Sequence, residues 1–167
     1  WNGLVERPIP MWKDYGVKKL EFEKGTDDKG NIVLTARLPY NAQFTPVIEL
    51  TDNGEGTLIH METDHAVLSF STPCIHAEYV TCNGYQNYES LGWINGHKLF
   101  VTYPKDSEVT VHSIGFRETG YDCEFEGSFT SDDEMLNLYW QKAMRTLYVN
   151  MRDNYFDCPD RERAQWW

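Results

Sequence analysis

The sequence predicts a mainly β protein: an antiparallel β-sandwich followed by one long C-terminal α-helix. Two observations carry this reading. Short β-branched and aromatic stretches recur through residues 17–128, broken at close intervals by Pro, Gly, Asn and Asp, the pattern of an all-β domain. At Ser131 the spacing of apolar residues changes to threes and fours, which is a helical period. The expected boundary lies at Gly127–Ser131. Residues 1–128 then form the sandwich, with 1–16 as an extended lead-in, and 129–167 form the helical region. A chain of 167 residues can hold one good core, or a domain plus a piece of another.

The elements follow in order. Glu6-Arg7-Pro8-Ile9-Pro10 is extended, because each Pro fixes its own φ and turns its predecessor away from helix. Lys24–Asn31 is a turn or loop. Ile32–Leu38 is a strand rich in β-branched residues, Pro39–Pro46 a connection, and Val47–Thr51 a second strand. Asp52-Asn53-Gly54 turns the chain into a strand over Thr57–Glu62. Strands at Val67–Ser71 and His76–Cys82 follow, then a polar aromatic loop at Asn83–Tyr88. Ser90–Ile94 and His97–Tyr103 flank Asn95-Gly96, which supplies the positive φ angles of a type I′ hairpin. Pro104–Ser107 turns again. Val109–Phe116 is a strand, and Cys123–Phe129 is expected as another.

Ser131-Asp132-Asp133-Glu134 has the form of a capping box, with acids placed to suit the helix dipole. Leu136, Tyr139, Trp140, Ala143, Met144, Leu147 and Met151 then line one face of a helix expected over Asp132–Asn150.

Composition narrows the function. The net charge of −11 argues against nucleic acid and anionic membrane surfaces as partners, and suits a neutral substrate. No apolar run has the length of a membrane span, and no secretion signal opens the chain. The sequence begins at Trp1 and stops just after a motif, so it reads as a piece of something longer. Aromatics make up 14%, with six Trp and ten Tyr, which fits a β-rich core first and carbohydrate contact second. Tyr85, Tyr88 and Trp93 could form a sugar platform, but packing in the core and hairpin is the preferred reading. Cys74, Cys82, Cys123 and Cys158 contain no C-x-x-C pair, so no structural zinc site is expected. Cys74 and Cys82 could pair across a hairpin, though buried thiols are preferred, and the compartment stays open. His60, Glu62, Asp64 and His65 could bind a metal. Alternation puts His60 and Glu62 on one face with His65 beyond in a turn, and an exposed polar face is preferred. No Gly-rich phosphate loop and no Ser-His-Asp or Cys-His arrangement is present, and no cofactor is expected.

The chemistry concentrates in Asn150–Trp167. Asp153, Asp157, Asp160 and Glu162 lie among Arg152, Arg161 and Arg163, and Trp166-Trp167 closes the run. Pro159 places a bend at Asp157-Cys158. Carboxylates and a guanidinium can bond sugar hydroxyls while an indole covers the apolar face of the ring. The plainer reading is a solvated ion-pair cluster of little energetic value.

Asp157-Cys158-Pro159-Asp160-Arg161-Glu162, with Trp166 after it, resembles the signature of bacterial α-L-rhamnosidases, glycoside hydrolase family 78. Arg117-Glu118-Thr119-Gly120-Tyr121-Asp122 and the sandwich-like region before it look similar to the same family. Many members have Asp-Cys-Pro-x-Arg-Asp-Glu, whereas here Glu162 follows Arg161 directly, as in members with the shorter spacing. The resemblance implies that the C-terminal helix begins an (α/α)6 barrel. It implies Glu162 as general acid, Asp157 and Arg161 as ligands of rhamnose hydroxyls, and Trp166 as a pocket wall. It further implies an inverting hydrolase of terminal α-L-rhamnosyl residues, with a rhamnose-containing glycoside or polysaccharide as substrate. The remainder of the same polypeptide is the expected partner, supplying the general base. A periplasmic or secreted location is favoured, with a cytoplasmic one open. The 167 residues alone are expected to be inactive. The competing reading is a non-catalytic carbohydrate-binding or structural sandwich.

Overall fold

A computed structural model describes residues 3, 5–6, 12–65, 68–69, 72–73, 75–152, 154–160 and 163–165. Ten strands precede one helix among them: β1 Trp12–Leu20, β2 Phe22–Thr26, β3 Ile32–Asp52, β4 Leu58–Thr63, β5 Leu68–Ser69, β6 Thr72–Pro73, β7 Ala77–Val80, β8 Gly84–Glu89, β9 Ile94–Tyr103, β10 Val109–Tyr121 and α1 Glu134–Val149. All strand pairs are antiparallel. The mainly β fold with a single C-terminal helix is therefore as expected.

The long strand β3 organises the sandwich. Its first half pairs with β2 and β9, and its second half pairs with β8 and β10. Strand β9 leads on to β4 and β7, while β10 leads to β1 at the other edge. Alternation along β3 sends Leu34, Ala36, Phe44, Ile48 and Leu50 inward, where they meet Ile59, Met61, Leu99, Val101, Ile114 and Phe116 in one core. The far edges close where Tyr79 of β7 stacks on Tyr88 of β8 and donates to Gln86 Oε1 at 2.7 Å.

Four local expectations need correction. Pro39–Pro46 is part of β3, with a register shift between Arg37 and Ala42 in place of a loop. Asn83–Tyr88 falls mostly in β8, paired to β3. Asn95-Gly96 makes no hairpin turn and lies inside the continuous strand β9, opposite Gln43 and Ala42. A Cβ on Gly96 would run into the Thr63 side chain and the Asp64 carboxylate, so this glycine serves close approach. Cys123–Phe129 is irregular, and its aromatics turn down onto the helix: Phe125 meets Tyr148 and Phe129 meets Trp140. Of Val67–Ser71, Leu68–Ser69 is strand, and 67, 70 and 71 lie outside the described residues. Of the lead-in, β1 takes up 12–16, and 1, 2, 4 and 7–11 lie outside them.

The helix starts two residues later than the capping box implied, at Glu134. Asp133 is the N-cap, accepting from the amides of Met135 and Leu136. Ser131 sits outside, held through its backbone by the Asn137 side chain. The helix docks on the sandwich through its last turns, where Tyr148 and Val149 are buried. Leu136, Tyr139, Trp140 and Leu147 of the expected apolar face are exposed.

Docking rests on polar contacts. The Arg145 guanidinium bonds the buried Glu118 carboxylate at 2.6 Å and the Asn41 carbonyl at 2.6 Å. Gln43 donates to the Val149 carbonyl and accepts from Arg152 at 2.6 Å. Tyr148 shares a 2.8 Å hydrogen bond with Tyr15 and donates to the Tyr121 carbonyl. Its ring lies against Gly120, where no Cβ fits. Gly120→Ala is expected to cost about 1–3 kcal/mol, the usual penalty of overpacking. Thermal unfolding of the chain measures it, and an unchanged Tm would show that Tyr148 moves aside freely.

Candidate functional site

After α1 the chain folds back on the sandwich. Phe156 is buried, its amide donating to the Asn150 carbonyl at 3.1 Å. From there Asp157 and Ala164 close a loop over the Cys-Pro-Asp-Arg-Glu-Arg run. The Asp157 amide donates to the Ala164 carbonyl at 3.0 Å, and the Ala164 amide returns to Asp157 Oδ1 at 3.2 Å. Partial burial works to raise the Asp157 pKa. The Ala164 amide and the thiol and amide of Cys158 outweigh it and hold the carboxyl below the usual range. An exposed carboxylate kept ionised is a strong acceptor for hydroxyl groups.

The loop rests on sandwich residues. Arg163, which adopts a positive φ of 50°, donates to the carbonyls of Pro159 at 2.9 Å and Trp93 at 3.0 Å. Its guanidinium stacks 3.4 Å from the centre of the Trp93 ring. Arg152 lies 4.6 Å from the same ring, and Phe156 stacks on it as well. Burial pushes the Arg163 guanidinium down to about 10, with Asp160 and Cys158 opposing. Asp160 is half-buried near Asn95 and His65. Burial raises its carboxyl above the usual value, while His65, the Asn95 side chain and Arg163 pull it down.

Of the residues expected to carry function, Asp157 is at the mouth of this loop. Arg161, Glu162 and Trp166 lie outside the described residues. Trp93, Asn95, His65 and Arg163 complete the surroundings; Asn95 was read as a turn residue, and Trp93 and His65 were weighed for other sites. Arg163 belongs to the motif run, whereas Trp93, Asn95 and His65 come from the approach to β9, β9 itself and the turn after β4, and nothing in their local sequence joins them to the motif. Tyr85, Tyr88 and Trp93 do not form one platform: Tyr88 stacks on Tyr79, Tyr85 on His112, and Trp93 faces the motif loop.

Two groups among the described residues could hold a metal. Asp64, His65 and His97 lie beside the loop, but Asp64 Oδ1 already accepts the His97 and Lys98 amides. His60, His76 and Glu78 lie further back along β4 and β7. Cys82 and Cys123 are thiols, and burial raises the Cys123 pKa. Cys74 lies outside the described residues. Among the described residues no helix is long and apolar enough to cross a membrane.

A carboxylate loop at the end of a helix, propped by a tryptophan of a β-sandwich, has the composition of a carbohydrate site. Part of the chain matches a family model. Residues 124–167 match the model for the bacterial alpha-L-rhamnosidase six-hairpin glycosidase domain, so the resemblance read from residues 157–166 is borne out. The fold is similar to that of a GH78 family rhamnosidase of Bacillus sp. GL1, with TM-score 0.69 and 24% identity over 87% of this chain and 16% of that one. It is also similar to a Klebsiella oxytoca rhamnosidase with rhamnose bound, at TM-score 0.71 and 10% identity, covering 94% of this chain and 39% of that one. An α-L-rhamnosidase from Dictyoglumus thermophilum gives TM-score 0.71 and 17% identity over 94% and 18%. The chain thus spans between 16% and 39% of the length of these structures. A search of curated proteins gave no match.

Proposed function

We propose that this chain is part of an inverting glycoside hydrolase that removes terminal α-L-rhamnosyl residues. The match of residues 124–167 to the glycosidase domain carries the reading, because it contains the whole Asp157–Trp166 motif. Residues 1–128 are then an accessory sandwich, and 129–167 open the catalytic barrel. Glu162 is the general acid. Asp157 and Arg161 hold rhamnose hydroxyls, and Trp166 walls the pocket. Inversion needs a second carboxylate about 6.5–9.5 Å from the acid, with water between them. That base comes from the rest of the barrel, so the 167-residue chain alone is inactive.

The test uses the intact polypeptide and aryl glycosides of different sugars. Turnover of the aryl α-L-rhamnoside above the others is the expected result. Rhamnose binding without turnover would favour the non-catalytic module, and turnover only of another sugar would overturn the substrate.

A further inference from the structure

The sequence alone placed His60 and Glu62 on one strand face. The fold adds Glu78 of β7 and His76, which directly precedes that strand. His60 and Glu78 are direct partners across the β4–β7 ladder. Glu62 and His76 each lie two residues from one of them, and residues two apart share a face. His60 Nδ1 is 3.6 Å from Glu78 Oε1, and His76 Nε2 is 3.6 Å from the same oxygen. The two imidazoles lie 4.9 Å apart. One ligand atom from each of His60, His76 and Glu78 falls within 4.8 Å of the others. Around a tetrahedral ion with bonds of about 2.0–2.1 Å, ligand atoms sit roughly 3.3–3.4 Å apart. The cluster is therefore within a small side-chain adjustment of that geometry.

Glu62 supplies the second observation. It lies 3.3 Å from the other ring nitrogen of His60, Nε2. A carboxylate there accepts a hydrogen bond from Nε2–H and leaves Nδ1 with its lone pair toward Glu78 and His76. This is the arrangement by which a metal-binding histidine is oriented from behind. All four side chains are partly exposed, so an ion can reach them. His60 and Glu62 also line a groove with Asp27, Asn31 and Thr102.

We propose that His60, His76 and Glu78 form a binding site for a zinc-class divalent ion, with Glu62 orienting His60 and a fourth position left to water. Two imidazoles and one carboxylate suit zinc, nickel or copper rather than magnesium or calcium. The site is independent of the glycosidase reading and lies on the sandwich.

Zinc alone, titrated into the metal-free chain by calorimetry, tests it. One ion per chain is expected. His76→Ala should abolish binding, since it removes an exposed ring outside the core. Glu62→Gln should weaken binding by about 10–100-fold. His97→Ala should leave it unchanged. Circular dichroism of each variant separates lost binding from lost folding. Binding below one ion per chain, or binding that survives His76→Ala, would overturn the proposal. Loss on His97→Ala with His76→Ala intact would move the site to the Asp64 cluster and equally refute it.

Discussion

Glu162→Gln in the intact enzyme is expected to lower cleavage of natural rhamnosides by about 10²–10⁴-fold, the usual contribution of a general acid. An aryl rhamnoside whose phenol is strongly acidic leaves without protonation, so much of that activity should survive. The reasoning turns on the leaving group. A general acid must keep its proton near neutral pH, above the ordinary Glu value of ~4.3. Packing beside Trp166 and near a second carboxylate would both raise it. The proposed role of Asp157 is the opposite, and its surroundings suit it: the Ala164 amide and the Cys158 donors favour the ionised form. Asp157→Asn should therefore weaken both substrates alike. Measuring kcat/KM for both variants on both substrates checks the assignment. Equal losses for Glu162→Gln on the two would shift the acid to Asp160, whose half-buried carboxyl is already raised by its surroundings.

Arg145→Ala is expected to destabilise the chain by about 3 kcal/mol, near the lower end for breaking a buried ion pair. Glu118 is only 2% exposed. It would keep the Tyr40 hydroxyl at 2.7 Å and lose its only guanidinium among the described residues. The Asn41 carbonyl would lose its donor too. Arg145 also stacks 4.4 Å from the Tyr40 ring, so Arg145→Lys, without the planar fork, should restore only part of the loss. Replacing both members, as Glu118→Leu with Arg145→Met, should cost less than Arg145→Ala alone, because no charge stays buried. Urea unfolding of the three variants decides the order. A double variant as unstable as Arg145→Ala would show that packing, and not the stranded carboxylate, sets the cost.

The sequence revealed the β-to-helix order because periodicity is a local signal. It revealed the motif because Asp157–Glu162 is contiguous. What escaped was non-local. Asn95-Gly96 has ideal turn chemistry, yet Thr63 Oγ1 donates to the Asn95 carbonyl at 2.6 Å and fills the space beside Gly96. Only tertiary contact distinguishes that glycine from a hairpin one. Tyr85-Gln86-Asn87-Tyr88 reads as a polar loop, and becomes a strand because β3 offers a free ladder and Tyr79 a stacking partner. The helix misled in another way. Its apolar residues do share a face, but the sandwich receives Arg145, Tyr148 and Val149, which no hydrophobic pattern selects. Trp93 was legible as a packing residue and illegible as the support of Arg163, seventy positions away.

The seat of the motif loop bears on how this chain can be recombined. Trp93 and Asn95 belong to the sandwich, as do Gln43 and Glu118, yet they hold the loop and the helix of the region that matches the glycosidase-domain model. The two regions are thus not interchangeable cassettes. A chimaera grafting residues 129 onward onto a foreign sandwich would inherit the motif without its footing. To transplant the folded motif loop, the graft must carry those four sandwich positions along with it.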